Sequence, residues 1–263
     1  MTRDRLSRRQ ILLAAGAVLV SSPAILRPAV AQGLPARPAI ALPRDIAQGD
    51  ATTITRVRTA RPVVALTFDD GPHASLTPRL LDILALRGVR ATFYVIGSRV
   101  PVHLSVMRRI AEEGHEIGNH SWSHPKLSDL GDAAILSELD RTSAAIMDAV
   151  GREPVTMRPP YGSLTGAQRR MVQASRNLPT VLWSVDPEDW RNPGAQAVTE
   201  RIVGGSHPGG VILTHDIRAG TIEAMPATLD RLLARGYEFV TLSELIGWPR
   251  WDGRAISLAS SGG

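Results

Sequence analysis

Two short runs contain residues whose types and spacing could do chemistry. One is Thr67, Phe68, Asp69, Asp70, Gly71, Pro72, with two adjacent carboxylates; the other is His120, Ser121, Trp122, Ser123, His124, Pro125, with histidines four apart. Adjacent carboxylates repel, and in a partly buried site they need a cation or hydrogen-bond donors beside them. A metal ion is the economical cation. Histidines four apart lie on one face of a helical turn, so both imidazoles can reach one ion. Two neutral imidazoles and a carboxylate make a three-ligand site that leaves positions open for water and substrate, as a catalytic metal requires. Each run alone has a plainer reading: Asp, Gly and Pro are ordinary turn formers, and a histidine pair can sit on the surface or cap a helix. Both runs follow apolar segments, and together they favour the metal. The chain has no cysteine, so any ion is held by His, Asp or Glu, and disulfides and a cysteine nucleophile are excluded.

Three further runs carry ionisable or aromatic groups. Arg158, Pro159, Pro160, Tyr161, Gly162 reads as a rigid turn with an arginine at its start. Residues Trp183 to Trp190 include Asp186, Glu188 and Asp189; carboxylates beside tryptophans can position a catalytic group while an indole packs on a sugar, or Trp183 can belong to the core. Ile212, Leu213, Thr214, His215, Asp216 ends an apolar run in a histidine that is either structural or a general acid. His73, His103, His115 and His207 read as structural, with His73 close enough to a motif to be watched.

These groups need a frame that brings them together. Short apolar runs alternate with amphipathic stretches, the pattern of βα units around a parallel sheet. Strands are expected at Val63 to Phe68, Ala91 to Ile96, Glu116 to Gly118, Thr156 to Arg158, Thr180 to Val185, Val211 to Thr214 and Glu238 to Thr241. Helices are expected at Pro78 to Leu86, Val102 to Glu113 and Ala133 to Val150, each followed by a glycine suited to a left-handed C-cap: Gly88, Gly114 and Gly151. Seven strands in this order suggest an α/β barrel one unit short of the common eight. In such barrels catalytic groups gather where strands run out into loops, and the five runs sit at those strand ends.

Taken in order, TFDDGP, HSWSHP, RPPYG, DPEDW and ILTHD resemble the five motifs of the polysaccharide deacetylases of carbohydrate esterase family 4, the NodB homology domain. The stretch GYEFVTLSEL is similar to the end of that domain, so the resemblance covers roughly Pro62 to Leu245. It implies a deformed (β/α) barrel of about seven strands. It also implies one divalent metal, usually zinc, sometimes cobalt or another transition metal, and removal of acetyl groups from the N-acetylated sugars of a glycan. Carried over position by position, it makes Asp70, His120 and His124 the metal ligands and Asp69 the base. Arg158 would hold Asp69, and Asp189 would orient His215, the acid. The Tyr161 backbone N–H would meet oxyanion charge, and Trp190 and Leu213 would line the acetyl pocket. No catalytic position departs from the pattern. O-acetyl (xylan-type) esterase activity, cyclic-amide hydrolysis and non-catalytic glycan binding remain as rivals. The retained carboxylate pair argues against cyclic amides, and the intact Asp69, Arg158 and His215 argue against mere binding. Peptidoglycan, chitin oligosaccharide and exopolysaccharide stay open as substrates. With five Trp, three Tyr and three Phe, a long sugar-stacking platform is not expected.

The ends read differently. Residues 1–31 combine Arg3, Arg5, Arg8, Arg9 and Arg27 with an apolar run from Ile11 to Val20, about half the ~20 residues that span a bilayer, and close on Ala29, Val30, Ala31. This is the pattern of a cleavable signal, and Ser7, Arg8, Arg9, Gln10, Ile11, Leu12 resembles a twin-arginine export address. The chain is therefore expected to use the twin-arginine export machinery and to be periplasmic or secreted, without stable membrane insertion. Its net charge of +5 falls to +1 once 1–31 is removed, leaving 25 basic and 24 acidic residues and no case for nucleic acid. Residues 32–61, rich in Pro and Ala, read as a linker. The catalytic domain is expected over 62–247, with 248–263 as a tail. Oligomeric state is left open.

Overall fold

The computed structural model describes residues 52–248 and residue 251. Strand β2 (Val63–Asp69) is the hub. Its alternation sorts its side chains as a pleated strand must: Val64, Leu66 and Phe68 join the core under the surrounding helices, while Val63 and Ala65 join a second core inside the barrel. By the same period, Asp69 falls on the inner face. One edge of β2 pairs in parallel with β6 (Gly210–His215), which sets Asp69 opposite His215. The other edge takes β7 (Glu238–Val240) at its start and β3 (Thr92–Val95) at its end, and β3 pairs on with β4 (Glu116–Asn119).

Past β4 the wall is thin. Met157 alone bridges Asn119 of β4 to Thr180 of β5 (Thr180–Val181), and Val185 alone bridges to Ile212 of β6. The sheet thus closes on itself as a deformed α/β barrel. The strands expected at 156–158 and 180–185 shrink to one bridge and to two residues plus one bridge. The buried Arg158 side chain gives the physical reason: its Nε and Nη2 donate to the carbonyls of Val181 and Leu182 at 3.3 and 3.2 Å, which a neighbouring strand would otherwise use.

Helices α1 (Leu76–Ala85), α2 (Leu104–Glu112), α3 (Asp132–Val150), α4 (Gly166–Arg176), α5 (Ala195–Gly205) and α6 (Ala219–Ala234) alternate with the strands. Gly88, Gly114 and Gly151 take φ of 62°, 81° and 70°, the left-handed conformation expected after α1, α2 and α3. A short α7 (Leu242–Leu245) follows β7 and opens on a capping box between Thr241 and Glu244.

Two expected boundaries move. The stretch read as linker is part of the fold from Thr52 onward: β1 (Thr53–Ile54) pairs with β5, Arg56 bridges Gly210, and Ile54 is fully buried. This segment fills the gap that the two-residue β5 leaves beside β6. At the other end Trp248 and Trp251 are buried, and the Trp251 indole donates to the Glu153 carbonyl at 2.9 Å, so the packed unit runs past 247. The signal segment, its cleavage point after Ala31 and most of the expected linker and tail lie outside the described residues. No helix among the described residues is long and apolar enough to cross a membrane.

Candidate active site

An open cleft of about 610 Å³ lies at the strand ends, lined by Asp69, Asp70, His120, His124, Pro159, Tyr161, Trp183, Asp186, Trp190, Leu213, His215 and Arg218. Eight of the ten residues singled out in the sequence face it. Arg158 and Asp189 stand behind it, each bonded to one of the eight.

Asp70 follows the end of β2 with φ of 72°, a left-handed backbone that a non-glycine residue adopts at some energetic cost. Asp70, His120 and His124 each present one ligand atom, all within 4.8 Å of one another. Asp70 Oδ1 lies 3.4 Å from His120 Nε2 and 3.1 Å from His124 Nε2, yet it is buried without a hydrogen bond of proper geometry. His120 Nδ1 lies 2.7 Å from the Arg158 carbonyl, which can only accept, so Nδ1 carries the hydrogen and Nε2 turns a lone pair towards Asp70. Lone pairs converging on one point, beside an orphaned buried carboxylate oxygen, fit a divalent cation. With a carboxylate and two imidazoles as donors, zinc or a neighbouring transition metal suits the set. When the Nε2 atoms carry hydrogens instead, burial still raises the Asp70 carboxyl, but hydrogen bonds and charge from the two imidazoles outweigh it and hold the group far below the usual carboxylate range.

The histidine pair is not on a helical turn, as its spacing suggested. Residues 120–124 form a loop in which Ser121 and His124 both take left-handed backbones, at φ of 62° and 61°. What fixes it is a set of side chains that the sequence did not single out. Asn119 Oδ1 accepts from the Ser121 N–H at 2.9 Å. Glu138 on α3 accepts from the Trp122 and Ser123 N–H groups and the Ser123 hydroxyl at 2.8 to 2.9 Å. Glu138 is one of several acids on an amphipathic helix, and no local pattern marks it.

Beside the ligand cluster, Asp69 Oδ1 accepts from Arg158 Nη1 at 2.7 Å, and the same nitrogen donates to Thr67 Oγ1 at 2.7 Å. The guanidinium is fully buried and also lies over the Tyr94 and Trp183 rings, 4.4 and 5.8 Å from their centroids. On the neighbouring strand, His215 Nδ1 donates to Asp189 Oδ1 at 2.7 Å. Asp189 Oδ2 accepts from the His215 backbone N–H and the Thr221 hydroxyl at 2.8 and 2.6 Å. Burial by itself would lower the His215 imidazole, but the bond to Asp189 and the charges of Asp189, Asp69 and Asp70 push it up to about 9. The cleft therefore holds an anchored carboxylate and a protonated imidazole on neighbouring strands, beside the ligand cluster.

Tyr161, Trp190 and Leu213 form part of the walls. Tyr161 is 70% exposed, sits at φ 60° and ψ 13°, and sets its ring edge-on to His124 with centroids 4.8 Å apart. Trp190 is 44% exposed, while Leu213 is buried in the floor. His73 stays outside the cleft; its Nδ1 accepts from the Ser75 and Leu76 N–H groups at the start of α1. His115 is buried, accepts from the Ala91 N–H, and is pushed down to about 4 by burial and nearby arginines, in keeping with a structural role. Asp216, quoted in a motif but given no task, is buried and accepts from the Thr77 hydroxyl. It also explains Gly71: a Cβ there would lie 2.3 Å from Asp216 Oδ2, so only glycine lets the Asp69–Pro72 turn pack onto it.

The family profile described as polysaccharide deacetylase matches residues 56–182. The peptidoglycan N-acetylglucosamine deacetylase PgdA of Listeria monocytogenes is 42% identical over 184 residues, covering 70% of this chain and 39% of that protein. The chain thus spans about two-fifths of that relative. A chitooligosaccharide deacetylase of Rhizobium leguminosarum bv. phaseoli is 42% identical over 162 residues, covering 60% of this chain and 69% of that one. Among solved structures, the peptidoglycan N-acetylglucosamine deacetylase Bc1960 superposes with a TM-score of 0.73 at 33% identity, covering 76% of this chain and 94% of that one. With the barrel, the cleft and these matches in agreement, the chain belongs to the polysaccharide deacetylase family, the NodB-homology deacetylases of carbohydrate esterase family 4.

Proposed function

We propose that this chain is a metal-dependent hydrolase that removes acetyl groups from the N-acetylated sugars of a cell-wall or other extracellular glycan, after export by the twin-arginine route. The observation that carries the reading is one cleft holding a three-ligand cluster together with a guanidinium-clamped carboxylate and a carboxylate-paired imidazole. Binding alone needs neither of the flanking groups; hydrolysis of an amide needs both a base and an acid. Relatives named for peptidoglycan and chitooligosaccharide deacetylation support an acetamide as the reacting group.

Asp70, His120 and His124 would hold one divalent ion, most simply zinc, which supplies Lewis acidity to the attacking water and the acetamide carbonyl. Asp69 takes the proton of that water. Its clamp to Arg158 fixes one oxygen and leaves Oδ2, 3.8 Å from His120 Nε2, facing the ligand cluster. The Tyr161 backbone N–H, turned by its left-handed conformation, meets the developing oxyanion charge. His215 delivers its Nε2 proton to the departing amine, while Asp189 holds the ring through Nδ1. Leu213 and Trp190 enclose the acetyl methyl. Acetate and a free amino sugar result.

Acetate release from chitin oligosaccharides, peptidoglycan and acetylated xylan, with and without a chelator, tests the reading. Chelator-sensitive release from the N-acetylated glycans is expected. Asp69→Asn should keep the metal and lose activity by about 10²–10⁴-fold, the usual range for a general base. Release from xylan alone moves the chain to the O-acetyl esterases, and unchanged turnover in Asp69→Asn removes the mechanism.

A further inference from the structure

Arg218 is the only permanently charged cation lining the cleft among the described residues. It stands three residues beyond His215, between β6 and α6, on the same rim as the proposed acid. Its main chain is fixed: the N–H donates to the His215 carbonyl, and its own carbonyl accepts from the Thr221 and Ile222 N–H groups at the start of α6. Its side chain has no such tie. The Nε is buried without a hydrogen-bond partner, and no carboxylate among the described residues lies within ion-pair distance. Other arginines near the cleft are engaged: Arg158 with Asp69, and Arg191 and Arg201 with Glu188. Asp186, which lines the cleft too, accepts from the Glu188 N–H.

A buried donor left unmet is costly, more so when the group is charged. A planar guanidinium that lines a substrate cleft and has no carboxylate partner matches a carboxylate, which takes two parallel N–H bonds. We infer that Arg218 recognises a carboxylate on the glycan, so that acidic N-acetylated glycans are preferred over neutral ones at this site. The inference rests on the deacetylase reading and narrows its substrate. In a peptidoglycan strand the carboxylate can come from the lactyl group of the muramic sugar or from the attached stem peptide.

Binding and turnover separate the two claims. The zinc-loaded Asp69→Asn protein is titrated calorimetrically with four probes. These are a peptide-free tetrasaccharide of alternating N-acetylglucosamine and N-acetylmuramic acid, the same compound with its carboxyls converted to methylamides, the tetrasaccharide bearing stem peptides, and chitotetraose. The free acid should bind about tenfold more tightly than its methylamide, the worth of one charge-assisted hydrogen bond. Adding Arg218→Gln should erase that preference and leave chitotetraose binding unchanged within about twofold; Arg218→Lys should restore part of it. A preference that appears only with the peptide-bearing probe assigns the carboxylate to the peptide and still supports the inference. Equal binding of all four probes, or an equal loss for all four in Arg218→Gln, overturns it. Acetate release by the otherwise unaltered protein from chitotetraose is read separately: its absence counts against the deacetylase reading, whatever the binding preference.

Discussion

Four enclosed acids in this barrel are treated in two opposite ways. At the mouth, Asp69 is clamped by a guanidinium, and Asp70 is held far below the usual range by two imidazoles. Elsewhere, Glu116 receives neutral donors, among them the Ser243 N–H and hydroxyl at 2.8 and 3.0 Å, and burial pushes it up to about 7. Asp216, given the Thr77 hydroxyl, is likewise pushed up to about 7 by burial and by the charge of Asp70. Asp69, Glu116 and Asp216 are buried and Asp70 partly so, and the difference lies in the partners each is given. Where a cation stands beside the carboxylate its charge is compensated, and where only neutral donors do, the acid becomes a pH-sensitive strut.

The sharpest way to break this contrast is to take the cation away. Arg158→Met replaces the guanidinium with a chain of similar length and leaves Asp69 buried and unpaired. It should destabilise the metal-free protein by about 3–5 kcal/mol, the range for breaking a buried pair from one side. Acetate release should fall by at least about 10²-fold. Urea unfolding and an acetate assay measure both, and wild-type stability in this variant would mean that Asp69 does not depend on its clamp.

Asp189→Asn gives a smaller effect, through His215. His215 titrates at about 9 in the native protein, above its ordinary 6.5. The stability it contributes is therefore complete below pH 6.5 and lost as pH rises through about 9. The asparagine variant should bring the imidazole down, shift that loss to lower pH and slow turnover by about 10²-fold. Imidazole NMR titration of the metal-free protein reads the shift directly.

The smallest effect belongs to the neutral-partnered acids. Glu116 carries a raised value, so the folded state holds its proton more tightly than the unfolded chain. The resulting stability is present below about pH 4.5 and lost as pH rises through about 7. Glu116→Gln should flatten the stability profile across that window and leave kcat unchanged near neutrality. A profile as steep as the parent's would place the titration elsewhere.

How much of this was written in the sequence follows from how local each signal is. The period-2 alternation of Val63 to Asp69 and the glycines after α1, α2 and α3 are local, and both were legible. The five polar runs were legible because each follows an apolar run at the mouth. The helical-turn argument for His120 and His124 found the right pair for the wrong reason: a loop fastened by Asn119 and Glu138 does the positioning, and Glu138 lies on a helix whose spacing says nothing about it. The strands around Met157 and Val181 were overdrawn because a side chain satisfies carbonyls that pattern reading assigns to a neighbouring strand. Thr53–Ile54 was missed because two residues carry no period, and the partner that orders them is more than 120 residues away. Arg218 lacked a signal because an unpaired cation is visible only once its neighbours are known.

Arg158 stands in for the missing stave of the barrel while it holds Asp69. A lineage drifting towards inactivity would lose less by discarding His215, whose side chain is partly exposed to the cleft, than by discarding either half of the buried pair. Discarding the arginine would open the seam between Met157 and Leu182 as well. Loss of catalysis is therefore expected to be recorded first at His215, with the guanidinium surviving as a relic of the chemistry it once served.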